Sequence, residues 1–366
     1  MKNRNPNNIK KLNFTALKQT LLLGVLTLMF LGNLSAQDFH YSQYHNAPLN
    51  MNPALTGIFR GDARVMANYR SQWTSVPVDY MTFTGAFDKK FLRRTGRPGY
   101  WSGGLAFNYD QAGLSKLRLI NIGVSAAYTQ GFSETFFGTL GGALSVGQRS
   151  FKIDDLTFDR QYDPSTGVFN PNRPTQENFD NTSLIFPDLA LGINFRWQSK
   201  QTDMLVDRLD KRSKLDFGVG IHHLLRPDQS FQDADEAKLP IRLSPYAMGT
   251  LMLGNSFDLI GNFNAQFQNP YKEYVGMLGL KVHFNRNLGR QFAAQLDFGY
   301  RFNDFGDAFY PGIEVFYNGW ELGFTYDVNV SDFKLATNKR GGPELTLRYI
   351  IRHVRPLPAF KICPLI

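Results

Sequence analysis

The chain of 366 residues contains one cysteine, six histidines and only 19% charged residues. A single cysteine excludes an internal disulfide framework and any cysteine-cluster metal site. Long apolar runs are missing too. With a mean hydropathy of −0.29, the chain is too polar for a helical membrane bundle, in which each span takes about 20 mostly apolar residues. The one apolar run, LLLGVLTLMFL at residues 21–31, is short for a span, follows five basic residues with no acid among them, and ends near Ala36. Residues 1–36 therefore read as a secretory signal peptide, with an uncleaved anchor as the alternative. Cleavage would leave Gln37 first, and Cys363, near the other end, is not placed to carry a lipid. Forty basic residues against 31 acidic give +9, but without the leader the balance is 35 against 31, or +4. The basic character thus owes much to a removable segment and does not argue for nucleic acid as a partner.

What the mature chain does have is strict alternation of apolar with small or polar residues, the period of a strand with two different environments on its faces. Phe292, Ala294, Leu296, Phe298, Tyr300 and Phe302 alternate with Ala293, Gln295, Asp297, Gly299, Arg301 and Asn303. The same holds for Trp320 to Val328 and for Leu189 to Trp197. Fourteen candidate strands follow, near 63–69, 80–87, 100–109, 116–130, 135–148, 188–197, 214–224, 243–253, 257–268, 271–284, 292–302, 308–317, 320–328 and 344–352. No helical period of comparable strength competes with them.

A soluble β-sandwich also alternates. Three features favour an all-β, antiparallel transmembrane barrel over residues 62–353. The segments exceed the usual five or six residues of soluble strands and reach the roughly ten that cross a bilayer. Their polar faces mix Arg, Asp, Glu and Asn with many glycines, which suits a hydrated lumen. Trp101, Trp197 and Trp320 fall at strand ends, where an interfacial girdle belongs. If the first strand leaves the periplasm, tight turns such as 131–134, 254–256, 285–290 and 318–319 are periplasmic, and the long loop 149–187 is extracellular. Both termini would be periplasmic. Residues 37–61 are too irregular and proline-broken for strand and are expected to lie beneath or inside the barrel as a plug. The tail 354–366, with three prolines, should leave the last strand.

Little else points to chemistry, and no cofactor is expected. His222 and His223 are adjacent, so on a strand they face opposite ways and do not share a metal. Asp228, Asp233, Asp235 and Glu236 suggest either a calcium loop or, without the spacing of a helical calcium loop, a solvated one. No histidine lies in a nucleophile motif, so the chain reads as non-enzymatic, a barrel hydrolase assembled from distant strands being the rival. Arg64, Arg196, Asp297, Arg301, Glu321 and Arg348 fall on the lumen face, to line a solute path or to bind one another and a plug. Lys89, Lys90, Arg93, Arg94 and Arg97 cluster in a connection spanning 88–99, either a solvated turn or a periplasmic docking patch for an acidic partner.

Between leader and first strand the chain carries Asn46, Ala47, Pro48 and Leu49, then Asn52, Pro53, Ala54, Leu55, Thr56 and Gly57, followed by Asn68, Tyr69, Arg70, Gln72 and Trp73. In these elements, in its repeating strands and in Cys363–Pro364, it resembles the PorP/SprF family of type IX secretion outer-membrane proteins of Bacteroidota. Ser71 departs from the Asn common there. The resemblance implies a barrel in the outer membrane lipid that assists secretion or surface anchoring of large adhesins with a C-terminal signal domain. It also implies periplasmic type IX secretion or peptidoglycan-linked partners. The alternative is a porin or hydrophobic-solute channel.

Overall fold

The computed structural model describes residues 41–72, 80–91, 99–113, 115–153, 156–163, 165, 167–175, 181–199, 211–231, 237–287, 289–303, 307–331 and 337–352. Residues 1–36, Trp73, Arg93, Arg94, Arg97, the acidic run 233–236 and the tail 354–366 lie outside them. Sixteen strands are described: β1 Ala63–Gln72, β2 Tyr80–Phe91, β3 Gly99–Ala112, β4 Leu117–Gly131, β5 Phe136–Ser150, β6 Tyr162–Asp163, β7 Val168–Phe169 and β8 Ser183–Gln198. Then come β9 Lys214–His222, β10 Arg242–Met252, β11 Phe257–Gln268, β12 Tyr271–Asn285, β13 Phe292–Phe302, β14 Ala308–Tyr317, β15 Trp320–Asn329 and β16 Arg340–Ile351. All but β6 and β7, which pair only with each other, form a closed antiparallel barrel of fourteen strands, each next to its sequence neighbour and β1 joined to β16.

The alternation seen in the sequence becomes two faces. On β13 the burial pattern switches strictly from Leu296, exposed, to Asp297, buried, and on to Phe298, Gly299, Tyr300 and Arg301. Outward residues are apolar, as a lipid-facing band requires. Trp101, Trp197 and Trp320 all face outward at one end of the barrel, with Trp101 packed on Tyr128 at 5.0 Å and Trp320 stacked on Tyr349 at 4.3 Å. That end is the rim where β1 begins and β16 stops, called here the terminal rim. It also holds the tight turn at Asn318 and Gly319, where Asn318 takes φ +52°, a conformation asparagine tolerates. The opposite, far rim carries the connections 151–182, 223–241 and 330–339.

Several strands, β8 and β16 among them, run longer than the sequence pattern marked. β8 begins at Ser183, not 188, and includes Pro187. Beyond Leu191 it has no ladder partner on the β9 side, so Pro187 sits in an edge segment that tolerates a missing donor. β16 begins at Arg340, where Gly342 passes so close to β1 that a Cβ there would lie 1.9 Å from the Ser71 carbonyl.

The buried core of this barrel lies in its lumen. Residues 41–61 enter the description in the far half, where the Tyr41 hydroxyl meets Thr84 at 2.6 Å, and run down the lumen to β1 at the terminal rim. β1 begins and β16 ends at the same rim, as an even number of strands requires.

Candidate functional site: the occupied lumen

The coil from 41 to 61 is irregular because its prolines and small polar residues build short turns. Tyr44–Asn46 and Pro53–Leu55 are single 3-10 turns, and α1 (Pro48–Met51) is one turn of helix with proline in its first turn, where no donor is needed. Asn52 caps the third turn by accepting from Ala54 N at 2.8 Å. Such turns leave many backbone groups without intrasegment partners, and buried groups of this kind must bond elsewhere.

They bond to the wall at three levels. In the far half, the Glu344 carboxylate accepts from the backbone N–H of Ser42 and Gln43 at 2.8 and 2.9 Å. Glu344 and Asp327 are themselves held by Arg70, 2.6 Å from Asp327, while Arg301 reaches Asp327 at 3.1 Å, pairs with Asp307 and donates to the Ser42 hydroxyl at 2.9 Å. Further along the coil, Asn46 donates to Glu314 at 3.0 Å and accepts from Arg348, which pairs with Glu321. Asn50 donates to Asn108 at 2.8 Å, and Asn52 donates to the Ile193 carbonyl at 3.0 Å. Near the terminal rim, Asp88 accepts from Gly57 N at 2.8 Å and from Arg64 through both oxygens at 3.0 and 2.8 Å.

An apolar cluster lies beside these bonds. Tyr44, Met51, Leu55 and Ile58 of the coil pack with Tyr246, Ile260, Val275, Met277 and Tyr310 of the wall. Burial pushes the Tyr44 hydroxyl far above its ordinary pKa. Burial also opposes protonation of His45, but the hydrogen bond and charge of Glu314, 2.9 Å away, outweigh it and raise the imidazole above its ordinary value.

All six charged residues assigned to the lumen face point inward. Arg64, Asp297, Arg301 and Glu321 are buried, while Arg196 pairs with Asp216 at 2.8 Å and Arg348 pairs with Glu321. Of the motif residues, Asn46, Pro48, Asn52, Pro53, Ala54 and Gly57 lie in the coil, Arg70 faces inward, and Tyr69 faces outward on the same strand. Gly57, at φ +78°, sits where a Cβ would come within 2.4 Å of Ser102.

Three expectations need correction. Several glycines of the inward faces seat the coil rather than line water: a Cβ at Gly192 would fall 1.8 Å from Asn52 Oδ1, and one at Gly141 would fall 2.6 Å from the Ala54 backbone. His222 and His223 do not point apart, because β9 ends between them and His223 turns at φ +60°, leaving both rings buried 6.3 Å apart. The basic connection does not start at 88, because β2 continues to Phe91. Strand alternation leaves Lys89 exposed and turns Lys90 inward, where it donates to the Phe59 carbonyl. Asp228 caps its own loop, and its acidic companions at 233–236 lie outside the described residues. It accepts from Ala237 N and Ser230 N, and these bonds lower its pKa. Among the described residues no cluster of three His, Cys, Asp or Glu is placed to hold a metal ion.

Of the acids that hold the coil, Asp327 alternates onto the polar face with Glu321, but nothing in the sequence marks it, Asp88, Glu314 or Glu344 as a partner of the coil; parity puts Glu344 on the strand face of Arg348.

Solved structures similar in fold are outer-membrane barrels. They include BamA from Haemophilus ducreyi lacking POTRA domains 1–3 (TM-score 0.40, 10% identity, 79% of this chain and 70% of that one). The P. putida toluene transporter TodX follows (TM-score 0.44, 9% identity, 84% and 95%), with the translocator domain of the autotransporter NalP from Neisseria meningitidis (TM-score 0.33, 10% identity, 83% and 94%). No curated protein matches the sequence. The family model that matches, type IX secretion system membrane protein PorP/SprF, takes in residues 33–349 and so spans both the lumen coil and nearly all of the barrel that holds it. The chain with its coil-filled barrel belongs to the PorP/SprF family of type IX secretion system membrane proteins.

Proposed function

We propose that this protein assists secretion or surface anchoring of large adhesins that carry a C-terminal signal domain, as a non-enzymatic component of the type IX system in the outer membrane of a Bacteroidota bacterium. The fold and the family point to an outer membrane. The observation that carries the reading is the coil 41–61, bonded to the wall at every level of the lumen. A diffusion pore gains nothing from such an obstruction. A component that holds a passenger at the surface does, because the membrane stays tight while the passenger is held. In this reading residues 1–36 are removed on export, the terminal rim is periplasmic and meets type IX secretion or peptidoglycan-linked partners, and the far rim faces outward.

Removing the gene should abolish surface display of one or a few large adhesins while uptake of small solutes continues, measured by surface proteomics and by sugar or antibiotic influx. Unchanged surface proteins with slowed influx would overturn the reading in favour of a porin. Protease added to intact cells should cut within 151–182 if the far rim is outside, and cleavage confined to the terminal-rim turns would invert the orientation.

A further inference from the structure

The coil does not fill the lumen evenly. Against β3, β4, β5 and β8, in the far half, it leaves an open cavity with room for several water-sized groups. The cavity exists because the facing strands present small side chains such as Ser145, while the connection after β9 covers it from above. Arg149 and Arg242 face it together with His223, and Asp188 is the one acid among the described lining residues. Arg242 is fixed by donating to the Asn50 carbonyl at 2.9 Å, so the coil itself holds one guanidinium in place.

Asp188 supplies the second, independent observation. One of its oxygens pairs with His223 Nδ1 at 2.8 Å, and the side chain is only 10% exposed, yet its other oxygen is buried with no hydrogen-bond partner. A buried carboxylate oxygen without a protein donor is costly, which favours a bound group that supplies one. The backbone is strained at the same point. His223 at φ +60° is a non-glycine residue in the left-handed region, and the bend there brings its ring to Asp188 instead of continuing the strand.

We propose that this cavity binds a small molecule carrying both a carboxylate, for the guanidiniums of Arg149 and Arg242, and a hydrogen-bond donor, for Asp188. An amino acid offers an ammonium and a sugar acid offers hydroxyls, and both present the same pair of groups. Phe186 gives the ligand's carbon skeleton an apolar wall. The site does not depend on the secretion reading, since it rests on the geometry between coil and wall alone.

The test is calorimetric titration of the full chain in detergent with four probes: serine and glucuronate, which have both groups, acetate, which lacks the donor, and ethanolamine, which lacks the carboxylate. Serine or glucuronate should bind saturably at one site, and whichever does identifies the source. Acetate and ethanolamine should bind more weakly by about tenfold or more. Asp188→Asn should weaken binding by about tenfold, since it removes the charge that accepts the donor. Ser145→Leu should abolish binding by filling the cavity, with heat-modifiable mobility showing that the barrel is intact. If Ser145→Leu does not fold, the four wild-type titrations and Asp188→Asn still decide. Absence of binding by serine and glucuronate, equal binding of all four probes, or full binding by a folded Ser145→Leu protein would overturn the proposal.

Discussion

The lumen wall has two arcs that hold the same coil by different means. On β3, β4, β5 and β8 most inward residues are small, for example Gly123, Ser125, Ala127 and Thr129 on β4, Thr139, Gly141, Ala143 and Ser145 on β5 and Ala190 and Gly192 on β8, with Arg149, Asp188 and Arg196 as the charged exceptions. On β13 to β16 and β1 they are large and charged, with Asp297, Arg301, Glu314, Asp327, Glu344 and Arg70 all buried. The small arc works by shape. Its glycines let the coil backbone approach to a distance that any side chain would forbid, and where no coil lies against it a cavity remains. The charged arc works by directed bonds, its carboxylates accepting from coil N–H groups and its guanidiniums holding the carboxylates in position. Shape without charge seats a segment but does not fix its register. Charge without close approach fixes register but leaves gaps, and the lumen uses each where the other is lacking.

The comparison predicts that the charged arc is the more fragile under truncation. Arg301→Ala would remove the guanidinium that pairs with Asp307, one of the two on Asp327 and one of the two bonds of the Ser42 hydroxyl, at a cost of about 3–5 kcal/mol. On the small arc Thr129→Ala breaks one hydroxyl contact, with Thr139 at 3.0 Å, and should cost about 1 kcal/mol. Urea or heat midpoints of the heat-modifiable mobility shift measure both. Equal losses would mean that the charges are incidental to holding the coil.

Adding atoms should reverse the order, since the small arc has no room where the coil lies against it. Gly192→Ala places a carbon 1.8 Å from Asn52 Oδ1, and displacing the coil there should cost about 1–3 kcal/mol. Gly254→Ala, at a terminal-rim turn with nothing within 4 Å, is the matched control and should leave the midpoint unchanged. Limited proteolysis should then find residues 41–61 more accessible in the Gly192 variant alone. If the coil stays protected, the glycine seat does not position it.

Much of this was legible before any coordinates. The two-residue period fixes which side chains face the lipid, because a closed barrel leaves a strand only two environments, and Phe298 and Arg301 could be assigned to opposite faces from their parity alone. The coil was legible too, since Pro48 and Pro53 forbid a ladder. Its depth was not. Whether Asn52 meets Gly192 depends on the stagger of strands far apart in sequence, which no local pattern encodes. For the same reason glycines spaced for close approach looked like glycines spaced for water. Lys89 and Lys90 show the opposite failure: a charge run was taken as one surface although alternation, applied two residues further along β2, already divided it.

The smallest expected effect concerns the one imidazole that joins coil to charged arc. His45 lies 2.9 Å from Glu314, with Asp297 and Arg348 also acting on it. Burial disfavours its cation, but Glu314 prevails and holds its pKa above the ordinary 6.5. A group whose pKa is raised on folding contributes stability that is fully present below its unfolded pKa and is lost as pH rises through the folded one. The coil should therefore be held more firmly at pH 6 than at pH 9, with the loss beginning above pH 6.5 and remaining smaller than that of either substitution above. Hydrogen exchange of residues 41–61, corrected for the intrinsic pH dependence of exchange, measures it, and His45→Gln should flatten the profile while other segments keep theirs. The small arc supplies no comparable group against this stretch of coil, so exchange at Thr56 and Gly57, held by Ser125 and Asp88, should not follow the same curve. A uniform pH response along the whole coil would mean that the two arcs do not act separately.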